Sequence, residues 1–203
     1  IADLLQRKVA MIILASGNRV TDPEVTVLEP WLRRGGVLVR FAGPTLDGNV
    51  DSLLPVRLRG GGRTFGGTMS WTEPVGLASF HEDSPFAGLA VPDDVLVSTQ
   101  VLAEPSPGLS QRTWARLADG TPLVTAERRD QGWIVLFHVT ATPDWSTLPL
   151  SGVMVEMLRR ILDLSRGVEE SATTLPKSLP AREILSGTGQ LIVPPPTVLA
   201  LDR

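Results

Sequence analysis

Cysteine and tyrosine are absent from the chain of 203 residues, and histidine occurs only twice, as His81 and His138. Without cysteine there can be no disulfide, no thiolate metal site and no cysteine nucleophile. The two histidines lie far apart, and the run His81-Glu82-Asp83 lacks the ligand spacing of an EF-hand or a zinc-binding helix. The composition therefore predicts neither a metal site nor a cofactor.

An excess of positive charge and long hydrophobic runs are also missing. Nineteen basic and twenty-two acidic residues give a formal net charge of -3, which disfavours DNA or RNA as a partner. No apolar run approaches the roughly 20 residues that span a bilayer, and no signal-peptide pattern is present. The chain begins at Ile1 without an initiator methionine, and we expect it to be a soluble piece of a longer protein.

The sequence does contain the alternation of apolar strands and amphipathic helices that is typical of an α/β protein. Residues 8–16 (KVAMIILAS) and 37–43 (VLVRFAG) are nearly continuous apolar runs, as in strands buried on both faces. Between them, Asp22 as N-cap and Pro23 at the first position predict a helix that Pro30 bends or interrupts. The short connections predict a right-handed crossover in a parallel sheet.

The middle of the chain, residues 44–107, is rich in glycine and proline and is predicted to be a β-rich insertion or edge region. Within it, residues 84–89 (SPFAGL) are expected to form one turn of helix, and residues 94–104 (DVLVSTQVLAE) a half-buried strand. The glycine-rich run at 59–67 lacks the ending of a phosphate-binding loop, so a flexible hairpin turn is the better interpretation.

In the second half of the chain, turn residues separate the predicted strands more clearly. Residues 113–139 contain three apolar-rich strands separated by tight turns at 119–120 and 130–132, which predict antiparallel neighbours. A strongly amphipathic helix follows, and we expect it to start at Pro149. From residue 167 to 203, prolines recur without a sustained hydrophobic period, which favours an extended tail or an interdomain linker.

Together these patterns predict an α/β three-layer sandwich with a mainly parallel sheet over residues 1–166, with antiparallel edge strands and the additional β region at 44–107. The order VAMIILASGN, EVTVLEPWLRRGGVLVRFAG and GTPLVTAERRDQGWIVLFHV resembles the class I glutamine amidotransferase-like fold. In active members of that fold, the strand similar to VLVRFAG ends in a sharp turn that carries a nucleophilic cysteine, and a late strand carries a Phe-His pair. The resemblance puts Phe41 at the cysteine position and Phe137-His138 at the late histidine motif.

A narrower resemblance is carried by FAGPTL, LLPVRL, SPFAGL and the run from Gly120 to Leu162. These segments are similar to the middle region of bacterial membrane proteins that have an aerotolerance-regulator-type N-terminus with two transmembrane helices. The resemblance implies a non-catalytic binding or interaction module of a larger membrane-anchored protein. Its partners would be other domains of the same chain or members of a membrane complex, and the domain would lie on the periplasmic side.

The residues themselves exclude one activity and leave others open. A glutaminase needs a thiolate activated by histidine, and the chain has no cysteine, so that activity is excluded. A hydrolase could instead use His138 with Asp144 and a serine, either Ser146 or Ser16, although no G-x-S-x-G elbow is present. In the structural interpretation, Ser146 caps the following helix or lines a turn, and His138 satisfies a loop carbonyl or fills a gap over the sheet.

A third hypothesis is a sensor for a small ligand or a glycan. Ligands of open α/β sheets bind at the carboxyl ends of the strands, where the sequence places Arg40, Phe41, His138 and Trp145. An aromatic ring at such an end can stack on a sugar, although most of the five tryptophans lie within apolar patterns that indicate core positions. These four residues are the candidate ligand-binding set.

Overall fold

The computed structural model describes residue 5 and residues 9–46, 52–59 and 68–165. Beyond these it describes residues 178–179, 184–185, 190–193 and 201–202. The contacts divide the chain into two units, Ile1–Val168 and Glu169–Arg203.

The first unit is built on a mixed sheet of five strands: β1 (Met11–Leu14), β2 (Val37–Phe41), β5 (Thr113–Arg116), β6 (Pro122–Arg129) and β7 (Gly132–Phe137). Their order across the sheet is β1-β2-β7-β6-β5. The strands β1, β2 and β7 run parallel, whereas β7, β6 and β5 form an antiparallel meander. This confirms the α/β class and the antiparallel strands at one edge.

Helices cover both faces of this sheet. Successive residues of β2 point to opposite faces, and each face packs against a different helix. Leu38 belongs to the apolar cluster that contains Leu28 and Leu32 of helix α1 (Asp22–Arg33). Val37 and Val39 belong to the cluster that contains Met157 and Ile161 of helix α3 (Gly152–Asp163). The result is a layer of helix on each side of the parallel strands.

The start of α1 differs from the prediction, because the N-cap is Thr21 and not Asp22. The Thr21 backbone N–H donates to Glu24 Oε2 at 2.9 Å, which is one half of a capping box. Asp22 is therefore the first helical residue, where its negative charge interacts favourably with the positive end of the helix dipole. The helix continues through Pro30 to Arg33, so the predicted interruption at Pro30 does not occur.

The middle region forms a separate two-stranded antiparallel sheet of β3 (Thr68–Gly76) and β4 (Leu96–Val101). The predicted strand at 94–104 is thus confirmed, while most of the glycine-rich run at 59–67 lies outside the described residues. The predicted helical turn at 84–89 is wrong. Single i to i+3 hydrogen bonds link this segment as successive turns, and Gly88, with φ of +78°, breaks the helical conformation.

The two predicted tight turns of the meander are confirmed. Gly120 has φ of +85° in the β5–β6 turn, and Asp130 has φ of +53° in the β6–β7 turn. Asparagine, aspartate and glycine are the residues that adopt this left-handed conformation most readily. A short helix α2 (Leu109–Arg112) leads directly into β5.

The last helix of the first unit begins later than predicted. Pro149 lies in a 3₁₀ turn at Leu148–Leu150, and Ser151 is the N-cap of α3, since its Oγ accepts from the Met154 N–H at 3.4 Å. Ser146 is therefore not the cap of this helix, and the capping alternative for Ser146 is wrong. Met157 and Ile161 are fully buried, as the apolar side of an amphipathic helix should be, but Leu150 is 75% exposed because the 3₁₀ turn places it away from the buried face.

The second unit was predicted as an extended tail, and its described residues form two short antiparallel ladders. Strand β8 (Ser178–Leu179) pairs with β11 (Leu201–Asp202), and β9 (Ile184–Leu185) pairs with β10 (Leu191–Ile192). Across the described parts of both units, no helix combines the length and the apolar character needed to cross a membrane.

Candidate functional site

His138 follows the last residue of β7 and is completely buried. Its Nδ1 lies 2.8 Å from the carbonyl oxygen of Val101 in β4, and its Nε2 lies 3.0 Å from Thr125 Oγ1 in β6. The backbone at the same position makes a further link, because the Val101 N–H donates to the His138 carbonyl at 2.9 Å. The imidazole therefore joins the five-stranded sheet to the separate β3–β4 sheet.

The two partners of the ring define its tautomer. A carbonyl oxygen can only accept, so the proton must be on Nδ1 and is donated to Val101. Nε2 is then the acceptor, and the Thr125 hydroxyl donates to it. Burial lowers the pKa of His138 from 6.5 to about 4, and the hydrogen bond to Val101 offsets part of that shift. The ring is neutral at pH 7, with both nitrogens engaged.

This shift predicts a pH dependence of stability. The unfolded chain binds a proton on His138 near pH 6.5, whereas the folded chain binds it near pH 4, so protons favour unfolding between these values. We expect the full contribution of His138 above pH 6.5 and a progressive loss, of about 3 kcal/mol in total, as the pH falls from 6.5 to 4. Urea unfolding at stepped pH measures this loss.

The control for the pH series is His138→Gln, which keeps the carboxylates but cannot titrate at this position. The unfolding free energy of the unmodified chain should approach that of His138→Gln as the pH falls from 6.5 to 4. If plots of unfolding free energy against pH stayed parallel for the two proteins from pH 7 to pH 4, they would contradict a depressed pKa at His138.

The structure does not bring the residues of the hydrolase hypothesis together. Asp144 is exposed and accepts from the Thr142 hydroxyl, while Ser16 is exposed beyond the end of β1. Ser146 is buried in a bridge to Val97, and its Oγ has no hydrogen-bond partner within the described residues. Because His138 bonds to Thr125 and Val101 instead, no serine is activated by it.

Phe41 lies inside β2, in register with Phe137 of β7. Their rings stack with centroids 4.9 Å apart and planes 13° from parallel. Among the described residues, Asp130 is the one non-glycine residue with positive φ, so Phe41 is not on a strained turn of the kind that exposes a nucleophile. The stacked pair fills this part of the core, and Phe41 is 4% exposed.

Arg40 and Trp145 both have structural contacts. The buried guanidinium of Arg40 donates to the Leu53 carbonyl at 2.9 Å and to the Asn18 carbonyl at 2.8 Å. Trp145 is half-buried, and its carbonyl accepts the Ser98 N–H at 2.8 Å. The two side chains lie in different environments, so the predicted ligand-binding set does not form one open pocket.

A groove that the sequence did not predict runs along the outer side of β5. Two adjoining cavities of about 400 and 380 Å³ share His81, Thr113, Trp114 and Arg116 as lining residues. No local pattern indicates this groove, because His81 is separated from β5 by more than thirty residues. No group of histidine and carboxylate side chains suited to a metal ion occurs in the described parts of the chain.

Comparison with known proteins identifies a shared fold and no family. No protein-family model and no curated protein matches the chain. The solved structure of Cytoplasmic Protein STM3548 from Salmonella typhimurium aligns with a TM-score of 0.60 and 13% identity, over 80% of this chain and 74% of that one. Cytoplasmic Protein STM1381 from Salmonella typhimurium LT2 aligns with a TM-score of 0.57 and 11% identity, over 83% and 75%. At these identities the likeness shows the α/β fold alone.

Proposed function

We propose that this chain provides a non-catalytic interaction module of a larger membrane-anchored bacterial protein, with an amidotransferase-like sandwich as its scaffold. The observation that carries the proposal is the closed environment of His138, whose ring nitrogens are engaged by Val101 and Thr125. The proposal includes the periplasmic side of the membrane and partner domains from the same full-length chain.

The geometry of His138 is unsuited to general base catalysis. A base needs a lone pair within hydrogen-bond reach of the proton that it removes. The Nε2 lone pair of His138 points at the Thr125 hydroxyl instead, and no part of the ring reaches solvent. Substrate could reach this nitrogen only after the contact between β7 and β4 had separated.

The position that the resemblance assigns to the nucleophile supports the same conclusion. Phe41 stacks on Phe137, so apolar ring surface occupies the place where the thiolate and the late histidine motif would meet in an active amidotransferase. Ring stacking of this kind stabilises the core by about 0.5 to 1.5 kcal/mol beyond simple burial. The residues at this point contribute to stability and carry no reactive group.

The outward side of α3 supports a role in protein interaction. Val155 is 49% exposed and Leu162 is 45% exposed, and residues seven apart lie on the same side of a helix. Leu158 lies between them and is half-buried against the core. Two large apolar side chains exposed on one side of a helix are a surface on which a partner domain can dock.

The test measures binding between this domain and the remaining domains of the full-length chain, produced separately, by calorimetry. We expect the double variant Val155→Asp/Leu162→Asp to weaken binding by about tenfold or more, because each aspartate must be desolvated at an apolar contact. The matched control is Val27→Asp, a valine on the exposed side of α1, which should leave the affinity unchanged. Equal weakening by both variants, or no binding by the unmodified domain, would overturn the proposal.

A further inference from the structure

The groove along β5 has the features of a built site. The segment that forms its outer wall is fixed to the strand at two points: the Ala78 N–H donates to the Arg116 carbonyl at 2.9 Å, and Ser84 Oγ donates to the Trp114 carbonyl at 2.7 Å. Residues 79–83, called the arch below, connect these two fixed points. The arch and the strand line two adjoining, open cavities of about 400 and 380 Å³, within the size range of small-molecule sites.

The strand itself is irregular where it faces the groove. The β5–β6 register shifts between Thr113 and Ala115 and again between Ala115 and Arg116. Side chains of a regular strand alternate between its faces, yet Thr113, Trp114 and Arg116 all line both cavities. Bulges that redirect side chains in this way are over-represented next to functional sites.

Arg116 supplies the positive charge of the groove. Its guanidinium donates to the Gly120 carbonyl at 3.3 Å, and no carboxylate within the described residues forms an ion pair with it. A guanidinium has five N–H donors in a planar fork, which matches a carboxylate. The remaining donors of Arg116 are available to a negatively charged ligand.

The other lining groups suit hydroxyls. His81 Nδ1 lies 3.3 Å from the Asp83 backbone nitrogen and 3.4 Å from Asp83 Oδ2. This leaves Nε2, on a side chain that is 79% exposed, as the ring nitrogen for a ligand hydroxyl, which can both donate and accept. Gln111 and the carboxylate of Asp83 line the same cavity. The Trp114 ring forms a rigid floor because it packs edge-on against Phe86, with centroids 5.9 Å apart.

From this arrangement we propose that the β5 groove binds a small monoanionic polyhydroxy compound of the sugar-acid class. Arg116 holds the carboxylate, while His81, Asp83 and Gln111 bond to hydroxyls. Glu82 and Asp83 also line the cavities, and because their repulsion of an anion grows with the charge of that anion, a single carboxylate is favoured over a polyanion. This binding role is independent of the apolar surface on α3, so either proposal can fail without the other.

The experiment is a two-dimensional NMR titration of the whole chain with sodium glucuronate, observing the Trp114 indole and the amides of residues 79–84. We expect saturable shifts at these positions below about 20 mM, the range of weak small-ligand affinity. Glucose at the same concentrations should give no saturable shift, because it lacks the carboxylate. Failure of glucuronate to give saturable shifts would overturn the proposal.

The variant that tests the site is Arg116→Ala, with Arg159→Ala as the matched control on the exposed side of α3. Loss of the charge-assisted bonds should weaken glucuronate binding by about tenfold or more, and the control should bind as the unmodified chain does. If thermal melting shows that Arg116→Ala is unfolded, Arg116→Gln removes the charge with less change of shape. Equal affinity for inorganic phosphate, or unchanged binding in a folded Arg116 variant, would overturn the sugar-acid assignment.

Discussion

Replacing His138 with alanine is expected to lower the free energy of unfolding by about 3 to 5 kcal/mol. The substitution removes a completely buried ring, and the space that it leaves is bounded by two sheets that cannot simply close together. It also leaves the Val101 carbonyl and the Thr125 hydroxyl without the partner that each has in the native structure. Each unsatisfied buried group adds its own desolvation cost. Urea unfolding at pH 7 measures the sum.

The matched control is His81→Ala, because the chain has two histidines and His81 is 79% exposed on the arch beside β5. Its stability should change by less than about 0.5 kcal/mol. Thr125→Val, which removes one hydrogen bond and keeps the side-chain shape, should fall between the two at about 1 to 2 kcal/mol. A loss below about 1 kcal/mol in His138→Ala would contradict a structural role for the imidazole.

The strands and helices of the first unit could be predicted because the local pattern and the tertiary environment agree. Strand β2 reads as a continuous apolar run and is buried at every position, with one helix layer on each side. The meander could be predicted from its turn residues, since Gly120 and Asp130 supply the positive φ values that tight turns need. The errors at the helix starts are shifts of one to three residues, decided by competing caps such as Thr21 against Asp22 and by the 3₁₀ turn before Ser151.

The candidate site could be predicted much less well, because its contacts join distant segments. The role of His138 depends on Val101 and Thr125, which lie 37 and 13 residues away. A pattern of residue types at the strand end does not show whether the ring faces solvent or a second sheet. The β5 groove depends in the same way on hydrogen bonds from Ala78 and Ser84 to the strand, thirty or more residues away in sequence.

Gly132 shows how one residue can have a role different from its apparent one. Its position in the run Asp130-Gln131-Gly132 predicted a turn glycine, but the positive φ of this turn is at Asp130. Glycine is instead required at position 132 because the structure leaves no space there for a side chain. A Cβ there would lie 2.1 Å from the Leu32 carbonyl oxygen and 2.3 Å from the Gly36 carbonyl oxygen.

Gly132→Ala is therefore expected to destabilise the fold by at least about 3 kcal/mol. Both clashing atoms belong to the backbone and cannot rotate away. The Trp133 N–H also donates to the Gly36 carbonyl at 3.1 Å, so the added methyl group must push the end of α1 away from β7 and loosen the packing of Leu32. Denaturant unfolding at neutral pH measures the loss.

The matched control is Gly152→Ala at the first residue of α3, where an added Cβ meets no atom within 4 Å and φ is not positive. Alanine is the better helix former, so this variant should be unchanged or more stable by up to about 1 kcal/mol. The opposite signs follow from local surroundings alone, because the two substitutions are chemically identical. A Gly132→Ala variant that unfolds at the same denaturant concentration as Gly152→Ala would show that α1 and β7 do not approach as closely as the two carbonyl distances indicate.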